Sequence, residues 1–144
     1  MKDRTVRSRL SILSIAVICI LSAVLIQGCS QEKAPADQAK SLLEQSGIKG
    51  GLIVHINCGD GTMTEALKAD DGYLVQGLDP AIENVQTARQ YIMSKQEYGP
   101  VSVDLLTGNQ LPYKDNLVNM IVSEDLGTIS KDEAMRVLIQ DDKV

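Results

Sequence analysis

Two stretches of this sequence have the residue types and spacing that ligand chemistry needs. The first is Asn57-Cys58-Gly59-Asp60-Gly61, which follows an apolar run and precedes Thr62. Glycines there let a backbone approach a ligand, and the start of a helix offers unpaired N–H groups to an anion. The second is Asp79, 18 residues after Gly61. A carboxylate at that distance, ending a second strand, can accept both hydroxyls of a ribose. A plainer reading of the same residues is a pair of turn glycines and an N-capping aspartate. Cys58 adds a thiol at a helix N-terminus, a place that can depress a pKa, or simply a small residue that fits the loop.

The surrounding pattern supplies elements to position them. A helix from Asp37 carries Ala39, Leu42 and Leu43 on one stripe and stops at Gly47. Leu52-Ile53-Val54-His55-Ile56 is a continuous apolar run, suited to a strand buried on both faces of a parallel sheet. Thr62 and Glu65 have the spacing of a capping box, with Met63, Ala66 and Leu67 on the buried side. A second strand over 73–78 ends at Asp79-Pro80, a helix-start signal, and Ile82, Val85, Ala88 and Ile92 face inward beyond it. A third strand is expected over 101–105, a loop over 107–116 and a fourth strand over 117–123. A last helix over 130–138 has Ser130 and Glu133 as its capping pair. Alternating strands and helices imply an α/β fold: a three-layer, Rossmann-like parallel sheet with right-handed crossovers. The expected strand order is three-two-one-four. Ligands in such sheets bind beyond the strand carboxyl ends, where Asn57–Gly61 and Asp79 should be neighbours.

The beginning of the chain has a different character. Lys2, Arg4, Arg7 and Arg9 stand against one acid, Asp3, and no charged residue occurs from Leu10 to Ile26. A basic start, an apolar run and a small residue before a cut site describe a secretory signal. Its Ile26-Gln27-Gly28-Cys29 ending resembles a bacterial lipobox, which implies lipidation at Cys29. The alternative is an uncleaved apolar anchor helix. Either way residues 1–28 form a signal peptide or membrane anchor, and the remainder is exported to the periplasm or cell envelope. Residues 29–38 then read as a tether and 39–144 as the folded domain.

Composition narrows the function. The 144 residues are 44% hydrophobic, enough for one globular core. Aromatics are 3%, without Trp or Phe, and the formal net charge is -5, which together argue against nucleic-acid binding. Taking four basic residues and one acid from totals of 14 and 19 leaves residues 29–144 with 10 and 18, a net of -8. Three scattered cysteines build neither a disulfide scaffold nor a structural zinc site, and no metal is expected.

The stretch from Gly51 to Gly61 resembles motif I of class I S-adenosylmethionine-dependent methyltransferases. Gly77-Leu78-Asp79 is similar to their acidic motif. Leu111-Pro112-Tyr113 through Val122 is similar to their block leading into strand four, and Glu133–Leu138 to a later helix. The resemblance covers roughly residues 40 to 138 and implies the N-terminal half of that fold. More loosely, the chain resembles the N-terminal module of exported proteins that continue into pyrroloquinoline-quinone-type β-propeller repeats, which implies further C-terminal domains. The methyltransferase resemblance also implies S-adenosyl-L-methionine as cofactor, with the methionyl part along His55, Asn57, Cys58, Gly59 and Gly61. Asp79 would hold the ribose, Leu78 and Pro80 would flank the adenosine, and Thr107 would lie near the adenine. His55, Thr107 and Asn119 stand where the family has carboxylates, which implies weakened cofactor affinity. Glu124 and Asp125 fall where acceptor-contacting residues lie, though loop acids in solvent read the same way. The methyl acceptor is not legible.

Two further functions compete with methyl transfer. One is a non-catalytic exported module that keeps the fold to bind a partner. The other, a nicotinamide-dinucleotide site, lacks its third glycine in Gly59-Asp60-Gly61-Thr62-Met63-Thr64.

Overall fold

The computed structural model describes residues 33–140. The apolar run and Cys29, read as signal and lipidation site, lie outside the described residues. Among the described residues no helix is long and apolar enough to cross a membrane.

Helix α1 (Pro35–Ser46) starts earlier than the stripe of apolar residues suggests, with Pro35 in its first turn, where a fixed φ and a missing N–H are tolerated. It ends at Gly47, whose φ of 70° lets its N–H return to the Leu43 carbonyl. Strand β1 (Gly51–Ile56), helix α2 (Thr62–Ala66), strand β2 (Tyr73–Asp79) and helix α3 (Ile82–Ser94) follow. Strands β3 (Val101–Leu105) and β4 (Met120–Val122) and helix α4 (Lys131–Val137) complete the described fold. The four strands are parallel in the order β3-β2-β1-β4, as the sequence pattern implies.

Strand alternation divides the core between two faces. Ile53, Val75, Val101 and Val103 pack with Ala39, Leu43, Val85, Ala88 and Ile92 of α1 and α3. Val54, Ile56 and Leu78 pack instead with Leu106, Leu111, Val118, Ile129 and Val137. The spacing of Val85, Ala88 and Ile92 fits one helix face, and full burial of an Ile or Val side chain stabilises by about 1.5–3 kcal/mol. Ile82 does not join that stripe. It is 43% exposed, at the first residue of α3.

Several local expectations are corrected. The Thr62–Glu65 capping box does not form. Gly61 is the N-cap, and Asp60 Oδ1 accepts from Thr62 N–H at 3.0 Å and Thr62 Oγ1 at 2.8 Å. Strand β4 is shorter than 117–123. Leu117 and Val118 donate instead to the Val137 carbonyl, and Ile139 N–H donates to the Val118 carbonyl at 2.9 Å. Residues 138–139 thereby meet the outer edge of β4 in parallel register. At α4 the Ser130 hydroxyl accepts from Glu133 N–H, but the Glu133 side chain does not reciprocate. Its carboxylate accepts from Leu111 N–H at 2.8 Å and from the Arg136 guanidinium. Arg136, followed by that N–H, holds Glu133 down to about 2. Arg136 also donates to the Tyr113 carbonyl and to Asp115, so one guanidinium clamps the Leu111-Pro112-Tyr113 loop.

Gly61 limits how α2 and α3 approach. Its φ is +84°, and an added Cβ would stand 2.8 Å from the Ala88 Cβ. Gly61→Ala is expected to cost at least about 2 kcal/mol through backbone strain and overpacking. Urea unfolding of both proteins checks this, and equal midpoints would show that the loop and helices part freely.

Candidate functional site

The carboxyl ends of β1 and β2 bring the glycine loop and Asp79 together. His55 pairs with Gly77 across the two strands, and the next residues leave the sheet side by side. Asn57 takes φ 58° and Gly59 φ 57°, left-handed conformations that Asn and Gly tolerate best. That turn aims Gly59 N–H at Asp79 Oδ2, 2.9 Å away. Asp79 Oδ1 accepts from Ala81 N–H at 2.9 Å and Asn84 Nδ2 at 3.0 Å. Asp79 is only 3% exposed, and three donors are what a buried charge requires. The plainer reading of Asp79 therefore holds in part, since it organises the entry to α3. A carboxylate has about four acceptor positions, so one remains for a ligand. Rotating the Asn84 side chain away would free a second.

Gly59 leaves room beside this carboxylate, because an added Cβ would meet nothing within 4 Å. Leu106 N–H donates to the Asp79 carbonyl, which sets exposed Thr107 just beyond. Gly59 thus meets Asp79 directly, and Thr107 follows the residue bonded to the Asp79 carbonyl. These features fit an adenosyl group in part, with one hydroxyl received without rearrangement.

A cavity of about 540 Å³ opens on the other side of the loop. His55, Asn57, Met63, Ser123, Glu124 and Asp125 line it, and Pro35, Gln38 and Leu42 of α1 form a wall. Asn57 Nδ2 donates to the Asp125 carbonyl at 2.6 Å, tying the glycine loop to the segment after β4. The Ser123 hydroxyl lies within hydrogen-bond reach of the Ile56 and Asp125 carbonyls.

Beneath the loop lies a small polar layer. His55 is 8% exposed, and its Nδ1 lies 2.8 Å from Thr64 Oγ1. Burial pushes the imidazole down to about 4, against the opposing pull of the Asp79 charge, so it is neutral at pH 7. Burial, reinforced by the Asp79 charge, pushes the Cys58 thiol up to about 12. Of the two readings of Cys58, burial therefore favours the small residue that fits the loop over the reactive thiol. Cys58 packs against Gly77, whose Cβ would stand 2.9 Å from the sulfur and 3.2 Å from the Thr64 methyl carbon.

Asn119 is also corrected. It lies at the opposite end of the sheet, where its Oδ1 accepts from Leu52 N–H at 2.9 Å and occupies the space of a Gly51 Cβ. Its lost charge has no bearing on the site. Thr64 and Asn84 carry no signal in the sequence that marks them as site residues. Thr64 occupies a buried place on a five-residue helix, and Asn84 acts five residues beyond its partner.

No family model and no characterised protein matches the chain in sequence. Solved structures do match. A candidate S-adenosyl-L-methionine-dependent methyltransferase from Methanococcus maripaludis is 23% identical, with TM-score 0.65, over 74% of this chain and 51% of that one. A SAM-dependent methyltransferase from Aquifex aeolicus is 19% identical, with TM-score 0.61, over 76% and 63%. The cyclase SpnF is 20% identical, with TM-score 0.63, over 72% and 41%. The chain spans about half the length of these structures. At such identities the likeness establishes the fold, the Rossmann-like α/β sheet of class I S-adenosylmethionine-dependent methyltransferases. SpnF is named for a different reaction, so the fold alone does not fix the chemistry.

The neutral His55 has a consequence for stability. Between pH 6.5 and about 4 the unfolded chain binds a proton at this site and the folded chain does not. Stability therefore falls as pH drops through that window, by up to about 3 kcal/mol. His55→Asn should lose less stability than wild type between pH 7 and pH 4 in urea titrations. Equal losses would place the acid sensitivity elsewhere.

Proposed function

We propose that this chain is an adenosyl-binding domain of the methyltransferase type, using S-adenosyl-L-methionine to methylate an acceptor. The observation that carries this reading is the Gly59 N–H to Asp79 Oδ2 bond, which assembles loop and carboxylate at the strand carboxyl ends beside a roomy cavity. Asp79 would hold ribose hydroxyls, and the open side of Gly59 would admit the adenosyl group. The Asn57 loop would face the methionyl part. When bound, the sulfonium supplies an activated methyl group. The protein's share is then positioning and exclusion of water, and no dedicated nucleophile is required.

A second reading is a non-catalytic module that keeps the fold to bind a partner. The three protein donors on Asp79 favour it, as does neutral His55 at a position where the family resemblance implies a carboxylate. Calorimetry with S-adenosylhomocysteine on the full chain in detergent micelles separates the two. Charge-assisted hydrogen bonds are worth roughly 1.5–3 kcal/mol each, so Asp79→Ala should weaken binding at least tenfold. Asn84→Ala frees one acceptor position and should tighten binding severalfold. No binding at millimolar ligand by a folded chain would favour the partner-binding module. Binding indifferent to both substitutions would put the ligand elsewhere.

We also propose that the chain is an exported lipoprotein, held at the membrane through Cys29. The basic residues before the apolar, uncharged stretch from Leu10 to Ile26 and the Gly28-Cys29 ending support this. S-Adenosylmethionine is made in the cytoplasm, so export would favour the partner-binding reading unless the cofactor is supplied locally. Metabolic labelling with a fatty-acid probe should mark the wild type and not Cys29→Ser. Equal labelling of the two proteins would remove the lipid from this account.

A further inference from the structure

The cavity beside the glycine loop has a specific chemical character. Its walls include Leu42, Met63, Met120 and Val122, so most of a ligand's body would meet apolar surface. Its mouth carries Glu124 and Asp125, both exposed and neither in an ion pair among the described residues. Among the described residues, no lysine or arginine lines it. A second observation points inward. Every fully buried side-chain nitrogen and oxygen among the described residues has a partner. His55 is 8% exposed, yet among the described residues only its Nδ1 is bonded, so Nε2 opens on the cavity that His55 lines.

These features discriminate among acceptors. The two carboxylates repel carboxylate and thiolate ligands and attract cations. An alcohol would need a base to become nucleophilic, and a buried imidazole with a pKa of about 4 is a poor one. An ammonium gives up its proton far more readily than an alcohol does, and a mouth carboxylate or water can take it. We infer that the cavity takes a small amine with an apolar body, held by Glu124 and Asp125 at the mouth and facing His55 within. This rests on the methyl-transfer reading, in which the amine is the acceptor. Bound as an ammonium, it would first give one proton to a mouth carboxylate or to water. The lone pair so freed would form the new C–N bond as the C–S pair of the sulfonium donor returns to sulfur, leaving the methylated nitrogen as an ammonium.

The test uses the full chain in detergent micelles, saturated with S-adenosylhomocysteine. n-Butylamine, 1-butanol and butyrate are titrated while the ¹³C-methyl signals of Met63 and Met120 are followed. Butylamine should bind at least tenfold tighter than butanol, and butyrate should leave the signals unmoved. Glu124→Gln with Asp125→Asn should abolish the amine's advantage and leave S-adenosylhomocysteine affinity unchanged. The amide that replaces the Asp125 carboxylate keeps an oxygen for Gly127 N–H, so the loop has no reason to collapse. Equal affinity of the wild type for amine and alcohol, or displacement of S-adenosylhomocysteine by butylamine, would overturn the inference. If S-adenosylhomocysteine itself fails to bind while the amine still moves both signals, the methyl-transfer reading falls and takes the acceptor role with it. A wild type that binds S-adenosylhomocysteine without preferring the amine would overturn the amine alone.

Discussion

A single buried carboxylate organises the working end of this fold. Asp79 is almost fully withdrawn from water, and an unpaired charge there would cost several kcal/mol. It is kept by three donors drawn from separate places: the loop after β1, the turn after β2 and the first turn of α3. Those bonds fix the glycine loop against the second strand. Gly59 must then be left-handed, and Gly61 must pass within reach of Ala88. The same bonds set a tension between folding and function. Each donor that the protein supplies occupies a position that a ribose hydroxyl would otherwise use. Only Asn84, a side chain free to rotate, can yield its place cheaply, because the other two donors belong to the backbone.

The layer beneath the loop continues this restraint on charge. His55 and Cys58 lie close enough to Asp79 for its charge to act on both, and burial keeps both neutral at pH 7. Thr64 gives the imidazole one hydrogen bond, and Gly77 yields the volume that the thiol and the threonine methyl fill. Among the described residues, the buried carboxylate of the site is bonded to three donors, while Glu124 and Asp125 at the mouth stand in no ion pair. Affinity for a cation would arise at the rim, where solvent screens it.

What the sequence made legible follows from periodicity and local chemistry. Continuous apolar runs identified parallel strands, and their connections implied the order three-two-one-four, because right-handed crossovers leave few alternatives. Asn57, Gly59 and Gly61 announced a loop of left-handed residues, and the spacing to Asp79 placed that carboxylate beside it. Contacts made by side chains across long separations were not legible. Asn119 reaches Leu52 from 67 residues away, and Arg136 reaches the Tyr113 carbonyl from 23. Thr62 and Glu65 had the spacing of a capping box, but Asp60 takes the Thr62 N–H and hydroxyl, and the Gly61 carbonyl takes the Glu65 N–H. Ile82 had the right phase and the wrong place, since periodicity gives a face and not the depth at which it meets the sheet.

The edge of β4 bears on how the site is bounded. A bare parallel edge would offer its N–H and C=O groups to any strand. Here Val118 N–H is taken by the Val137 carbonyl, and the Val118 carbonyl receives Ile139 N–H. The chain therefore leaves α4 already aligned with β4 at its amino end, so the sheet's next pairing position lies outward from β4. The carboxyl end of that edge is where Ser123, Glu124 and Asp125 lie, and there the Asn57 amide and the Ser123 hydroxyl satisfy the Asp125 carbonyl. Side-chain hydrogen bonds among the described residues therefore tie the segment at the mouth of the cavity to the glycine loop. Among the described residues, Asp79 is committed to fixing the glycine loop while His55 lines the cavity with only its Nδ1 bonded, so the polar atom left over on that side is Nε2.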